Sequence, residues 1–460
     1  MDILLIAPCD HSQVWKGRRS LFVFPSLALP ILGALTPSRH RVRILDEALD
    51  DVSFAPRPDL VGITVMTPNA PRAYAIADRF RALGTKVVLG GIHIAACPDE
   101  AALHADALVL GEAELLWPRL LDDAERGELL PVYRNEERLD MALVPMPRRD
   151  LLPLHRYRFP YTVMASRGCP YRCSFCSTTQ YFGFKYRTRP VDAVIEEITS
   201  FPSRFFMFLD DHLFAMRPWA KELMKQLAPL GKKWGCMTTL AISKDEELME
   251  LAAAAGCIGV LVGFETVSDA NLRDIRKHQK VKDYRGVIQG LHRHGIMVQG
   301  SFVLGFDHDD TNAFDKTIAF AHEIGVDFGN FCTLTPLPGT DQYAQIQTEG
   351  RIVESDWSRY NRWHVAYHPK QMSRLELLTG RERTYRAFYS WPSILRRLPW
   401  RWPHAFYFAI YSLAYRRGMI NEARAVREMG IFEQYVQEAS GGGPSTTDQE
   451  AKPVPAMQML

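Results

Sequence analysis

Three cysteines carry the most specific chemistry in this 460-residue chain. Cys169, Cys173 and Cys176 stand in a CxxxCxxC spacing within Arg167-Gly-Cys-Pro-Tyr-Arg-Cys-Ser-Phe-Cys-Ser-Thr-Thr-Gln-Tyr181, directly after the apolar run 161–165. Thiolates this close cannot all point inward from a helix or a strand, but a loop folded around one inorganic centre presents all three. Three ligands also leave one metal position open, and an iron–sulfur cluster with a non-cysteine iron can bind a substrate or cofactor there. Two blander readings compete. A structural zinc wants a fourth ligand and usually paired CxxC knuckles, and the sequence holds no second knuckle. Ordinary core cysteines rarely crowd so closely.

The elements that would position this loop follow from hydrophobic patterning. From Tyr161 onward, strands are expected at 161–165, 205–209, 234–240, 258–263, 297–304 and 328–334, with helices at 191–200, 219–227, 244–255, 280–294 and 312–324. Six such units make a parallel, partly closed barrel whose chemistry belongs at the carboxyl ends of the strands. The cysteine loop follows the first strand, as that rule asks. Later strand ends carry further candidates: Asp210 and Asp211, then Glu265, then Gly300 and Gly305, then Thr335-Pro-Leu-Pro-Gly339-Thr340. Each has an ordinary alternative: an acid at a helix start, an exposed glutamate, a bulge glycine or a proline turn. Arg273, Arg276 and Lys277 could meet a carboxylate or phosphate but read better as a solvated helix face. Cys236, Cys257 and Cys332 read as small buried hydrophobes.

Residues 1–135 show a second alternation, with strands at 3–6, 42–45, 60–65, 86–89 and 107–110 and helices at 27–35, 70–83 and 112–126. This is the pattern of a doubly wound sheet, with its ligand at the carboxyl ends of the strands. A dinucleotide would want GxGxxG after the first strand. That strand instead runs into Ala7-Pro-Cys-Asp-His11, which disfavours NAD. Thr64, Thr67, Gly90-Gly91-Ile-His93 and Gly111-Glu112-Ala-Glu114 gather at the later strand ends, where glycines let a bulky ligand approach the backbone. The alternative is a set of turn glycines and caps in a sheet with another role. Cys9 and Cys97 read as incidental.

Cys169-Pro-Tyr-Arg-Cys-Ser-Phe-Cys176, with Phe175 before the third cysteine, resembles the signature of the radical S-adenosyl-L-methionine (SAM) superfamily. Pro25-Ser-Leu-Ala-Leu29, the Gly-Gly-x-His turn and the Gly-Glu-x-Glu segment are similar to the cobalamin-binding domains that precede radical SAM cores in one large subgroup. Tyr367-His-Pro-Lys370 and Phe388-Tyr-Ser-Trp391 resemble the C-terminal extension of members near the hopanoid C-2 methylases. The resemblance implies an α/β chain: a Rossmann-like doubly wound cobalamin-binding domain (1–135), a proline-punctuated linker (136–160), a partial (β/α)6 radical SAM barrel (161–345), a mostly helical C-terminal extension (346–438) and a disordered tail (439–460). It further implies a 4Fe-4S cluster on Cys169, Cys173 and Cys176. SAM would be contacted by Asp210, Asp211, Glu265, Gly300 and Gly305, and cobalamin by Thr64, Thr67, Gly90, Gly91, Gly111 and Glu112. No Asp-x-His-x-x-Gly motif is present, since Asp10-His11 lacks the spacing. Cobalamin would then bind base-off, with His93 a local hydrogen-bonding residue.

By the same resemblance, the open iron chelates SAM and an injected electron cleaves the sulfonium to a 5′-deoxyadenosyl radical. Methylcobalamin then methylates an unactivated sp3 carbon, and a second SAM remethylates the cobalt. The expected activity is C-methylation. The alternatives are a radical cyclase or ring rearrangement, as in the anaerobic cyclase of bacteriochlorophyll synthesis; a radical SAM enzyme without cobalamin; and a cofactor-binding regulator or electron-transfer module. Expected partners are a hydrophobic or natural-product small molecule and an external flavodoxin- or ferredoxin-type electron donor. A net charge of +2 gives no argument for nucleic acid. Eight sparse cysteines suit a reducing cytosol, and residues 1–30 lack a signal-peptide pattern. The expected location is cytoplasmic, with peripheral contact to the inner face of the membrane left open. That contact is suggested by Arg396, Arg397, Trp400, Arg401 and Trp402 beside the apolar stretch 406–415. Ten residues cannot span a bilayer, and a buried aromatic helix explains the stretch better.

Overall fold

Every side chain from Ile3 to Ile6 is buried, so the first strand is covered on both faces, as strands of a parallel sheet are. In the computed structural model, which describes residues 1–9, 24–135, 137–361, 364–399 and 404–440, it is the second strand of a six-stranded sheet. The strands are β1 (Asp2–Ala7), β2 (Arg41–Asp46), β3 (Leu60–Thr64), β4 (Lys86–Gly90), β5 (Ala107–Leu110) and β6 (Val132–Arg134). Their order is β2-β1-β3-β4-β5-β6, parallel throughout. Two apolar clusters, one on each face, complete the doubly wound arrangement. β6 was not expected, because Val-Tyr-Arg offers no apolar run. The helix expected from residue 112 begins only at Trp117, which leaves Glu112 and Glu114 in a loop.

The second sheet contains β7 (Thr162–Val163), β10 (Phe205–Phe208), β11 (Lys233–Thr238), β12 (Cys257–Glu265), β13 (Met297–Leu304) and β14 (Phe328–Thr333), again all parallel. Between β7 and β10, the short strands β8 (Ser166–Arg167) and β9 (Arg187–Thr188) pair antiparallel and pinch off the cysteine loop at its base. The order β14-β13-β12-β11-β10-β7 leaves β7 and β14 unpaired with each other. The Tyr411 ring lies 6.5 Å from that of Phe159, just before β7, and 5.7 Å from that of Phe328 in β14. One side chain therefore bridges the seam of an open barrel.

β13 shows how the barrel is layered. Val298, Gly300, Phe302 and Leu304 are buried under the helices, while Gln299, Ser301 and Val303 on the alternate face are only half-buried. The helix side is packed more tightly than the lumen.

After β14 the chain becomes mostly helical, with helices at Arg374–Phe388, Trp391–Arg397, His404–Glu428 and Ile431–Ala439. Ser373 and Glu376 form a reciprocal capping box at the first of these. Tyr385 and Tyr389 then donate to Asn330 Oδ1 and the Gly329 carbonyl, tying this helix to β14. Phe408 is fully buried, whereas Phe406 and Leu413 are about half-exposed, so the aromatic helix covers the barrel with one face only. Among the described residues no helix is long and apolar enough to cross a membrane. Asp10, His11, Trp400, Arg401, Trp402 and nearly all of the expected disordered tail lie outside the described residues.

Candidate active site

The cysteine loop sits at the carboxyl end of β7, with the helix Ser177–Phe182 immediately after it. Gly168 (φ +82°) makes the entry turn, and a Cβ there would press on the carbonyls of Gly183 and Lys185. The three thiols lie close enough for Cys169 and Cys176 each to act electrostatically on Cys173, and burial pushes the Cys173 thiol up to about 11. Thr179 Oγ1 donates to Cys176 Sγ at 3.1 Å. Among the described residues no group of three or more His, Cys, Asp or Glu closes on a single metal ion. Three cysteines in one loop nevertheless suit a cluster, whose cysteines bind separate irons.

Lys277 corrects the sequence reading. Its side chain is only 11% exposed rather than solvated, and its Nζ donates to Glu265 Oε1 at 2.7 Å. Burial works against the Lys277 charge, yet Glu265 and the thiols of Cys173 and Cys176 hold its pKa above the ordinary lysine value. Arg276 stays on the surface, paired with Asp341. Glu265 adopts φ +64° at a register shift between β12 and β13, a conformation few non-glycine residues accept. Strain of this kind persists where the surroundings over-determine it, often at functional sites. A buried cation beside the cysteines stabilises the more negative, reduced state of a cluster. Lys277→Met is expected to lower the cluster's midpoint potential, followed by electron paramagnetic resonance in a redox titration. An unchanged potential would remove Lys277 from the cluster's electrostatics.

The acids after β10 divide. Asp210 is fully enclosed and accepts hydrogen bonds from the Ala165 amide (3.1 Å) and the Ser166 hydroxyl. Burial nevertheless pushes its carboxyl up to about 7. It braces the backbone between β7 and β8. Asp211 is the acid nearer the loop. Burial pushes it up to about 6, against hydrogen bonding from Thr178, and its charge reaches the Cys169 thiol. His212 stacks near Tyr171 (6.0 Å), and burial drives its pKa down to about 4.

The glycines of β13 serve packing. A Cβ at Gly300 would meet the rings of Phe264 and Phe302; one at Gly305 (φ +101°) would meet Leu377 and the Tyr367 hydroxyl.

In the N-terminal sheet, Thr64 and Gly90 end β3 and β4. Gly91 (φ +111°) presses so closely on Val65 that a Cβ would lie 2.7 Å from that residue's amide nitrogen and carbonyl oxygen. His93 is buried beneath this turn, with Nδ1 3.3 Å from Thr67 Oγ1, the local role expected of it. Gly111 (φ +104°) has no atom within 4 Å of its Cβ direction, and Met66, just after β3, and Leu115, four residues beyond Gly111, are exposed. An open glycine and uncovered apolar side chains at the ligand edge suit a large flat macrocycle.

Glu112 also reaches across to the barrel. Arg167 donates to Glu112 at 2.9 Å and to Glu114 at 2.5 Å, all three being buried, and the nearly buried Arg187 donates to Glu112 at 2.8 Å. Tyr181 Oη donates to the Gly111 carbonyl at 2.6 Å. On the other flank, the Cβ direction of Gly339 reaches Ala96, and Trp357 Nε1 donates to Glu100 at 2.9 Å. The carboxyl ends of the two sheets therefore face each other, locked by side chains immediately before and after the cysteine loop. Arg167 was legible only as the first residue of the motif, because its partners lie more than fifty positions away.

A cysteine loop suited to a cluster, set against the ligand edge of a second α/β sheet, defines an enzyme built to bring two cofactors together. A model of the radical SAM superfamily matches residues 163–321, and one of the B12-binding domain matches residues 20–121. Bacteriochlorophyllide d C-12(1)-methyltransferase of Chlorobaculum tepidum is 31% identical over 418 residues, covering 87% of this chain and 91% of that protein. Hopanoid C-2 methylase of Rhodopseudomonas palustris is 26% identical, covering 89% of this chain and 81% of that one. The solved structure of the cobalamin-dependent SAM radical enzyme OxsB with aqua-cobalamin shares the fold, with a TM-score of 0.69, 13% identity and coverage of 96% of this chain and 76% of that one. The chain belongs to the cobalamin-binding radical SAM superfamily and is a radical SAM enzyme with 4Fe-4S, SAM and cobalamin as cofactors.

Proposed function

We propose that the chain methylates an unactivated sp3 carbon of a hydrophobic small molecule. One observation carries this reading: the cysteine loop and the open edge around Gly111 face each other across the buried Arg167–Glu112–Glu114 contacts. When bound, the cofactors supply a carbon-centred radical and a transferable methyl group. The chain's own residues do the rest. Cys169, Cys173 and Cys176 hold the cluster, and Lys277 tunes its charge. Asp211 and Glu265 offer carboxylates at the strand ends beside it. Thr64, Gly90, Gly91 and Gly111 form the floor for cobalamin, and the C-terminal helices close the barrel seam.

An external flavodoxin- or ferredoxin-type protein supplies the electron. Peripheral membrane contact belongs to the same proposal. Trp391, Leu395, Leu398 and Phe406 are exposed beside the exposed Arg396, a combination that suits an anionic lipid surface. Co-sedimentation with anionic vesicles but not with neutral ones is the expected result.

The deciding experiment is product mass after anaerobic reconstitution with a hydrophobic tetrapyrrole or polycyclic lipid. Methyl transfer adds one methylene unit to the substrate. A product without that gain, formed with SAM cleavage, would replace this reading with cyclisation or rearrangement.

A further inference from the structure

The interior of a parallel barrel, closed or open along one seam as here, is expected to be filled by layers of bulky side chains. Here it is not. A cavity of about 200 Å³ runs inside the six-stranded sheet, lined almost wholly by apolar atoms. Glycines help to open it, since Gly235 in β11 and Gly259 in β12 place no side chain on the lumen wall. Its upper wall includes Leu209, the residue immediately before Asp210 and Asp211, and its lower end lies among the first residues of β10 and β14. The helix His404–Glu428 closes its side through Tyr411 and Tyr415. The Gln299 amide nitrogen, on the lining, donates to the Tyr415 hydroxyl at 2.6 Å within the wall.

We infer that this lumen is a binding pocket for the hydrocarbon part of the substrate, separate from the strand-end groups that hold the cofactors. A void of about 150 Å³ with such a lining stays dry and takes up benzene. This one is somewhat larger, and therefore fits a ring or branched alkyl group without polar substituents. A charged or hydroxylated group would lose its hydration there against an almost wholly apolar lining. The pocket begins beneath Leu209, so a substrate anchored by its apolar end presents its next carbons at the cluster face. Lining side chains such as Leu261 and Met207 then set how far the molecule descends, and with it which carbon is presented.

The assignment rests on the methyl-transfer reading for its direction, but its test needs no turnover. The probe is n-butylbenzene, measured by equilibrium headspace partitioning over the reconstituted holoenzyme. Saturable uptake at about one site per chain is expected, weakened at least about tenfold by Leu261→Trp, which fills the lumen. Leu413→Ser, on the exposed face of the covering helix, should leave uptake unchanged. Met207→Ala enlarges the lumen and should shift the tightest binder toward longer alkylbenzenes, so the idea stays testable should the tryptophan variant fail to fold. Uptake that does not saturate, or that neither lumen variant alters, would overturn the pocket while leaving methyl transfer untouched. A negative product-mass result with saturable uptake would do the reverse.

Discussion

Replacing Cys169, Cys173 and Cys176 together with alanine is expected to remove about four irons per chain and abolish SAM cleavage while leaving cobalamin bound. The separation follows from the packing. The thiols line a loop pinched off by β8 and β9, and of the three Cys173 alone is buried. The N-terminal sheet has its own apolar clusters, from Leu4 through Leu110 on one face and from Ile3 through Tyr133 on the other. Losing the cluster should therefore leave that sheet folded and its ligand edge intact. Iron and cobalt content and the absorption spectrum, recorded side by side for both proteins, provide the check. Loss of cobalamin together with iron would show that the two sites form as one unit, contrary to their separate cores. One zinc per chain in the parent protein would return the loop to a structural role.

Much of this was legible because the decisive signals are local. Three cysteines within a single loop need no tertiary information to suggest a common centre, and buried parallel strands announce themselves as short apolar runs such as Ile3–Ile6 or Phe205–Phe208. What stayed hidden depends on distance or on backbone conformation. Lys277 follows Arg276, and in sequence the pair reads as a solvated basic face; only the fold turns one inward to Glu265 and the other outward to Asp341. Glu112 looked like the first residue of a helix facing a ligand. The helix starts five residues later, and the freed carboxylate finds two arginines from the barrel. Asp210 and Gly300 sit at strand positions where a resemblance suggests cofactor contact. Their immediate neighbours, the Ser166 hydroxyl and the Phe264 ring, give them structural work that the sequence alone did not show. Residue type and strand position thus located the site as a whole, whereas long-range partners decided what each side chain does within it.

Arg167→Met is expected to show the largest effect outside the cysteines, because it removes the cation that joins the two halves of the site. The Arg167 side chain is 6% exposed, and Glu112 and Glu114 opposite it are equally enclosed. Glu112 would keep Arg187, but Glu114 would lose the arginine that now faces it. Breaking a buried pair by deleting one partner costs roughly 3–5 kcal/mol, because the remaining charge stays desolvated. A clear fall in the denaturant midpoint should therefore accompany the change. Adding Glu114→Gln should recover part of it, since the double variant buries no orphan carboxylate and the pair is coupled. The functional signature is more specific. The cysteines and Lys277 remain, so SAM cleavage should largely persist. Methyl transfer depends on the two sheet edges staying in register, and should fall further, raising the ratio of 5′-deoxyadenosine to methylated product. Equal losses in both would mean that Arg167 merely shapes the cysteine loop. A rising ratio, with iron and cobalamin both still bound, would identify the buried ion pairs as the element that keeps the two cofactors within reach of one substrate.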